Sequence, residues 1–201
     1  MTRPIDFYFD FSSPYGYLGS ERIEALAARH GRVVDWHPIL LGVVFKETGA
    51  MPLTQVPIKG DYSRRDFPRS AKFHGVEGFR MPTKFPIATQ APARIVLWMK
   101  AHDAPRAPAV VHALYRAFFN DDIDISDPDA AATVAARAGA DAAGARTAID
   151  DPAVKDALKA ENARAIAAGV FGSPFTMVDG EPFWGVDRFD QIDRWLATGG
   201  W

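Results

Sequence analysis

The first forty residues read as strand, helix, strand, and that order constrains the fold more than any other feature of the chain. IDFYFDF, residues 5 to 11, sets aliphatic and aromatic residues at alternate positions with Asp6, Tyr8 and Asp10 between them, the period of a strand. Ser13 and Pro14 follow as a good N-cap and first helical residue. From there to His30 the apolar residues Tyr17, Leu18, Ile23, Leu26 and Ala27 recur at helical spacing, and Gly31 is placed to end the helix. VVDWHPIL, residues 33 to 40, then reads as a second strand. A β-α-β start calls for an α/β sheet.

Beyond it the pattern changes twice. Residues 42 to 92 are interrupted by Pro52, Pro57, Pro68, Pro82, Pro86 and Pro92 and read as loop with short helical pieces. From Ala93 to about Ala168 the composition is alanine-rich. Pro108, Pro128 and Pro152 sit near helix starts there, the last two directly behind Asp127 and Asp151 as caps, and the stretch predicts four or five helices. Sheet character returns with FTMV at 175 to 178, a DGEP turn and a short FWG strand. Asp187 is placed to cap a final helix from Arg188 to about Ala197. The outline is a βαβ half, a long helical insertion and a ββα half.

Composition then narrows the function classes. A chain of 201 residues, 48% hydrophobic, can bury a real core. Its 23 Lys+Arg against 25 Asp+Glu leave a formal net charge of -2, no field for nucleic acid or an anionic membrane. No segment approaches the ~20 apolar residues of a membrane span, and MTRPIDFYFD lacks the pattern of a secretory leader, so the expectation is a soluble, cytoplasmic protein. There is no cysteine, which removes disulfides and thiolate catalysis by the chain itself. Any thiol chemistry must use a borrowed thiol. His30, His37, His74, His102 and His112 have no metal-site spacing, and NDDIDISDPD lacks the glycine and terminal glutamate of a calcium loop, so no metal is expected. Phosphate and dinucleotide loops and the GxSxG elbow are missing too.

Four features remain as candidates. Ser13 stands at a helix N-terminus, where first-turn N–H groups and the helix dipole favour an anion, although an ordinary N-cap also puts a serine there. In FGSPF, a cis bond at Ser173–Pro174 would leave the backbone of Ser173 free to pair with an extended ligand; an ordinary turn before an edge strand reads the same way. Asp187, as an N-cap, could also accept from a ligand ammonium. Lys46, Lys59, Arg64 and Arg65 form a basic set suited to a carboxylated ligand.

In chain order, FYFDFSSPYGYLGSERI, LLGVVFKETG, VPIKGDY and GVFGSPFTMVDGEPFWGVDRFDQI resemble the 2-hydroxychromene-2-carboxylate isomerase family, which is similar to kappa-class glutathione transferases and to the wider DsbA-like group. The resemblance runs over nearly the whole chain. It implies a thioredoxin-like α/β fold formed by residues 1–45 and 169–201, with an all-helical insertion at 46–168, a homodimer, and glutathione as cofactor. Carried onto this sequence, it makes Ser13 the active-site residue touching the glutathione sulfur, and Ser12 only its neighbour. Lys46 matches a lysine that holds the substrate and Lys59 one near the glycyl carboxylate. Ser173, before Pro174, matches the residue whose backbone pairs with the cysteinyl part, and Val186 and Asp187 match the pair that receives the γ-glutamyl end. Two positions depart from the pattern. Ala50, in GAMP, stands where kappa relatives carry asparagine, and Val186 replaces a small polar residue, each costing a side-chain hydrogen bond of about 1 kcal/mol.

The activity so implied is a glutathione-dependent cis-trans isomerisation of an aromatic keto acid, a small aromatic carboxylate. The cofactor thiolate adds reversibly to a conjugated carbon and leaves after rotation, with Lys46 on the carboxylate. Two other readings stay open: a kappa-like transferase that retains the thiolate in its product, and a non-catalytic binding protein on the same frame.

Overall fold

The computed structural model describes residues 3–201. β1 (Ile5–Phe9), α1 (Pro14–Arg29) and β2 (Val34–Pro38) open the chain. Seven helices follow: α2 (Leu41–Thr48), α3 (Lys59–Phe73), α4 (Gln90–His102), α5 (Ala107–Phe119), α6 (Pro128–Arg137), α7 (Ala142–Ala148) and α8 (Pro152–Ala167). β3 (Phe175–Val178), β4 (Glu181–Trp184) and α9 (Phe189–Thr198) complete it. The predicted order is observed, a βαβ half, a helical stretch and a ββα half.

The strands form one sheet in the order β2-β1-β3-β4. β1 runs parallel to β2, with Ile5 opposite Val34 and Phe9 opposite Pro38, and antiparallel to β3, with Tyr8 opposite Phe175. β1 is internal, and helices cover both its faces. Ile5, Phe7 and Phe9 pack with Tyr17 and Leu18 of α1, Tyr115 and Phe119 of α5, and Ile192 of α9. Tyr8, on the other face, packs with Val44 of α2, Ala165 of α8 and Phe175. The alternation of polar residues therefore marks a second face that is covered at Tyr8 and Asp10 and half-exposed at Asp6, not a fully solvated one.

Three sequence expectations are corrected. The first strand ends at Phe9 and not Phe11, because Asp10 starts a turn that closes through Ser13 N–H on its carbonyl, at 2.9 Å. Residues 42 to 92 are not mainly loop. α3 is a fifteen-residue helix with Pro68 inside it, and its buried residues Gly60, Ser63, Phe67 and Ala71 fall at helical spacing. Asp187 does not cap the last helix: a 3-10 turn, Val186–Arg188, intervenes, and the N-cap is Arg188 with no side-chain cap. Asp127 and Asp151 do cap α6 and α8 as predicted, and Asp141 caps α7. α2 runs through residues 45 and 46, where the insertion was expected to begin. Among the described residues no helix is long and apolar enough to cross a membrane.

Candidate active site

Ser13 caps α1. Its Oγ accepts from Gly16 N–H at 2.9 Å and its carbonyl from Tyr17 N–H at 3.0 Å. Pro14 has no N–H, so the amide of Tyr15 is the donor this first turn leaves for another acceptor. No acidic residue lies in the turn to offset the positive end of the helix. The hydroxyl proton goes elsewhere: Ser13 Oγ donates to the carbonyl of Ser173 at 2.9 Å. Ser12 lies half-buried beside it, with Oγ accepting from Ile87 N–H at 3.2 Å.

Ser173 reaches this place because β3 returns antiparallel to β1. The register that sets Phe175 opposite Tyr8 brings Ser173 beside Asp10, whose N–H donates to Ser173 Oγ at 3.0 Å. The Ser173–Pro174 bond is cis. The expected free carbonyl of Ser173 is not found, since it holds the Ser13 hydroxyl, although a carbonyl has a second lone pair for another donor. Pro174 O accepts from Gly185 N–H at 3.0 Å, which ties the Val186–Asp187 segment to the same loop. The Val186 side chain is buried in the core, so only its backbone faces outward chemistry, while the Asp187 carboxylate is exposed and 3.6 Å from Arg188. Ser13, Ser173, Pro174, Val186 and Asp187 are thus gathered at one end of the sheet.

Lys46 and Lys59 are not joined to that group. Lys46 is exposed in the last turn of α2 and Lys59 is the exposed first residue of α3. Among the described residues neither makes an ion pair or side-chain hydrogen bond. Their helices are nonetheless anchored near Ser13. Tyr15 Oη donates to Asp66 of α3 at 2.5 Å and its ring packs edge-on to Phe67. Asp10 accepts from Leu41 N–H, the first residue of α2, at 2.6 Å.

The sequence reading missed Asp10, Gly16 and Tyr115. Asp10 is only 3% exposed. Its carboxylate also accepts from Ser12 N–H at 2.7 Å, yet burial outweighs these bonds and pushes its pKa up to about 6. Its carbonyl takes both Ser13 N–H and the buried Tyr115 hydroxyl, each at 2.9 Å. Burial, then the Asp10 charge, raises Tyr115 well above the usual phenol range. Gly16 leaves room for this arrangement, because a Cβ there would lie 2.7 Å from both Ser173 Oγ and Tyr115 Oη. Asp10 stands in FDFSS, but only the packing of Leu41, Tyr115 and Ser173 around it shows that it is buried.

A second polar cluster lies along β1 and β2. His37 Nδ1 is 2.6 Å from Glu161, and its Nε2 is 3.4 Å from Asp35 and 3.5 Å from Asp6. Burial alone would lower His37, but these carboxylates outweigh it and push the pKa up to about 10. Asp6, Asp35 and His37 carry ligand atoms close enough together for a metal ion, a grouping that sequence spacing did not show. Lys100, 2.5 Å from Asp35, and the imidazolium supply positive charge there. A concavity of about 550 Å³ between α6 and α7, lined by Asp129, Ala136 and Arg146 among others, includes no residue of the Ser13 group.

The DSBA-like thioredoxin domain family matches residues 4–197. A 2-hydroxychromene-2-carboxylate isomerase from Sphingobium xenophagum is 30% identical over 98% of this chain and 99% of its own length. A kappa-class glutathione S-transferase from Caenorhabditis elegans is 28% identical over 97% of this chain and 92% of its own. The solved structure of a 2-hydroxychromene-2-carboxylate isomerase superposes with a TM-score of 0.84 at 24% identity, covering 97% of this chain and 95% of that one. The last likeness carries the fold: a thioredoxin-like sheet with helices between its halves.

Proposed function

The chain belongs to the DSBA-like thioredoxin domain family and to its 2-hydroxychromene-2-carboxylate isomerase branch, and from that premise we propose that it is a glutathione-dependent isomerase of an aromatic keto acid. The observation that carries the reading is the Ser13 hydroxyl, set at a helix N-terminus with no acidic residue in its first turn and against the Ser173–Pro174 loop, in a chain without cysteine. A hydroxyl donor, a first-turn amide and the positive end of the helix together suit a thiolate, which the chain itself cannot supply. Bound glutathione would supply that thiolate, the nucleophile that adds to and leaves the conjugated substrate.

The protein's own part is an exchange of hydrogen bonds. Ser13 has one proton, held now by the Ser173 carbonyl. Turned toward a bound sulfur, that proton would leave the Ser173 carbonyl able to accept an amide N–H of the cofactor backbone. Pro174 fixes the loop, the backbone of Val186 and the exposed Asp187 carboxylate receive the γ-glutamyl end, and Lys59 receives the glycyl carboxylate. Lys46 takes the carboxylate of the aromatic substrate and offsets negative charge that grows on it during reaction. As the resemblance implies, the working form is a homodimer; exposed Met51, Ile58 and Phe73 supply apolar surface for a second copy.

The test is turnover of 2-hydroxychromene-2-carboxylate with and without glutathione, followed by its ultraviolet spectrum. Turnover that does not need the thiol would overturn the proposal. Likeness to the kappa-class transferase favours a second reading, in which the same site conjugates electrophiles. Mass analysis after incubation with an aryl halide and glutathione separates the two, since transfer leaves a stable adduct.

A further inference from the structure

α2 begins without a cap of its own. Its N-cap residue is Leu40, which offers no side-chain acceptor. The acceptor comes from another element: the Asp10 carboxylate takes Leu41 N–H at 2.6 Å with one oxygen and Ser12 N–H at 2.7 Å with the other. A carboxylate at a helix N-terminus is favoured by the dipole. Asp10 therefore bridges the loop that carries Ser13 and the helix that carries Lys46. Asn162 of α8 holds the preceding amide, Leu40 N–H, at 2.8 Å, so α2 has a second anchor and does not depend on Asp10 for attachment.

A bridge for packing alone has no need of a charge. Among the described residues no basic side chain forms an ion pair with Asp10, and a buried carboxylate without a cation is costly where a neutral acceptor would hold the same amides. Burial pushes its pKa up to about 6, in keeping with that cost. What the bridge fixes is the relation of α2 to the Ser12–Ser13 turn, because the backbone of Asp10 is itself held in place: its carbonyl accepts from Ser13 N–H in that turn and from Tyr115 Oη of α5, and its N–H donates to Ser173 Oγ of the cis-proline loop.

We propose that Asp10 is a positioning residue that caps α2 from the Ser13 loop and so sets Lys46 relative to the Ser13 hydroxyl. The inference rests on the reading that Lys46 holds the substrate carboxylate.

Two measurements test it. Amide hydrogen exchange by mass spectrometry should quicken in α2 of Asp10→Ala while the second half of α1 is unchanged. Calorimetric binding of salicylate in the presence of glutathione, alongside substrate KM, should weaken about tenfold in Asp10→Ala, the scale of lost charged hydrogen bonds. Lys46→Ala should weaken it similarly, and the double variant no more than Lys46→Ala alone. Effects that add in free energy, or unchanged exchange in α2, overturn the proposal. If Asp10→Ala does not fold, Asp10→Asn, which keeps one acceptor oxygen, carries the same cycle. A native protein that neither binds salicylate nor turns over substrate overturns the substrate reading and this inference with it; additivity in an active enzyme overturns this inference alone.

Discussion

The Ser13 hydroxyl donates to the carbonyl of Ser173 at 2.9 Å, joining two residues 160 positions apart across the two halves of the sheet. The bond links the helix N-terminus to the cis-proline loop, and its single proton is what a bound sulfur would compete for. Ser13 thus has a structural and a chemical role that substitution can separate.

Ser13→Ala removes the cap on Gly16 N–H and the donor to Ser173. Loss of the cap alone costs about 1 kcal/mol, so the thermal midpoint should fall by about 2–4 °C. If the hydroxyl also holds the cofactor sulfur, kcat/KM with glutathione should fall about a hundredfold, well beyond that stability loss. A lowered midpoint with turnover intact would leave Ser13 as a cap and nothing more.

Gly16→Ala is expected to destabilise, although alanine is the better helix former by about 1 kcal/mol. The added methyl would sit 2.7 Å from Ser173 Oγ and from Tyr115 Oη, and both are buried and hydrogen-bonded. Overpacking of this kind costs about 1–3 kcal/mol. Because the displaced atoms surround Ser13, glutathione affinity measured by calorimetry should fall together with the denaturation midpoint. A stabilised Gly16→Ala protein would mean that the loop yields freely.

The local elements of this site could be read from the sequence and the tertiary ones could not. Ser13 followed by Pro14 is a helix start by its own chemistry, and Asp127 and Asp151 announce theirs in the same way. Asp10 and Tyr115 come together only because β1 is an internal strand and α5 lies across its face, so their spacing of 105 residues carries no local signal. The same holds for two partners of His37, Asp6 of the neighbouring strand β1 and Glu161 of α8, while Asp35 lies two residues away on its own strand. α3 was hidden for a different reason: Pro68 suggested a break, while Gly60, Ser63, Phe67 and Ala71 already held the helical period.

Stability should decline at alkaline pH through two half-buried histidines, His37 and His112. Burial alone would lower both, but carboxylates outweigh it, Asp35, Asp6 and Glu161 raising His37 to about 10, Glu21 and Glu24 raising His112 to about 9. A cation whose folded pKa exceeds its unfolded value of about 6.5 stabilises fully below pH 6.5, and the contribution is lost as pH rises through the folded value. Thermal midpoints should therefore be level below about pH 6.5 and fall from there to about pH 10. His112→Gln should lower the midpoint at pH 6 and shrink the fall toward pH 9. A midpoint equal at pH 6 and pH 10 would show that the imidazolium pairs add nothing.

Lys46 and Lys59 should have opposite kinetic signatures, because the proposed function gives them different carboxylates. Both are exposed and without ion-pair partners among the described residues, so neither substitution should disturb the fold, and thermal midpoints should move by less than about 2 °C. Lys59→Ala should raise the KM for glutathione about three- to tenfold and leave the substrate KM alone, as expected when one partly solvated charge contact is lost. Lys46→Ala should raise the substrate KM and also lower kcat, since charge that develops during reaction is what it offsets. Added salt should narrow both differences from the native enzyme, because contacts made at exposed lysines are screened. If Lys59→Ala changed only the substrate KM, the two lysines would have to exchange places in the scheme; if neither substitution changed any parameter, the carboxylates would be held by other residues.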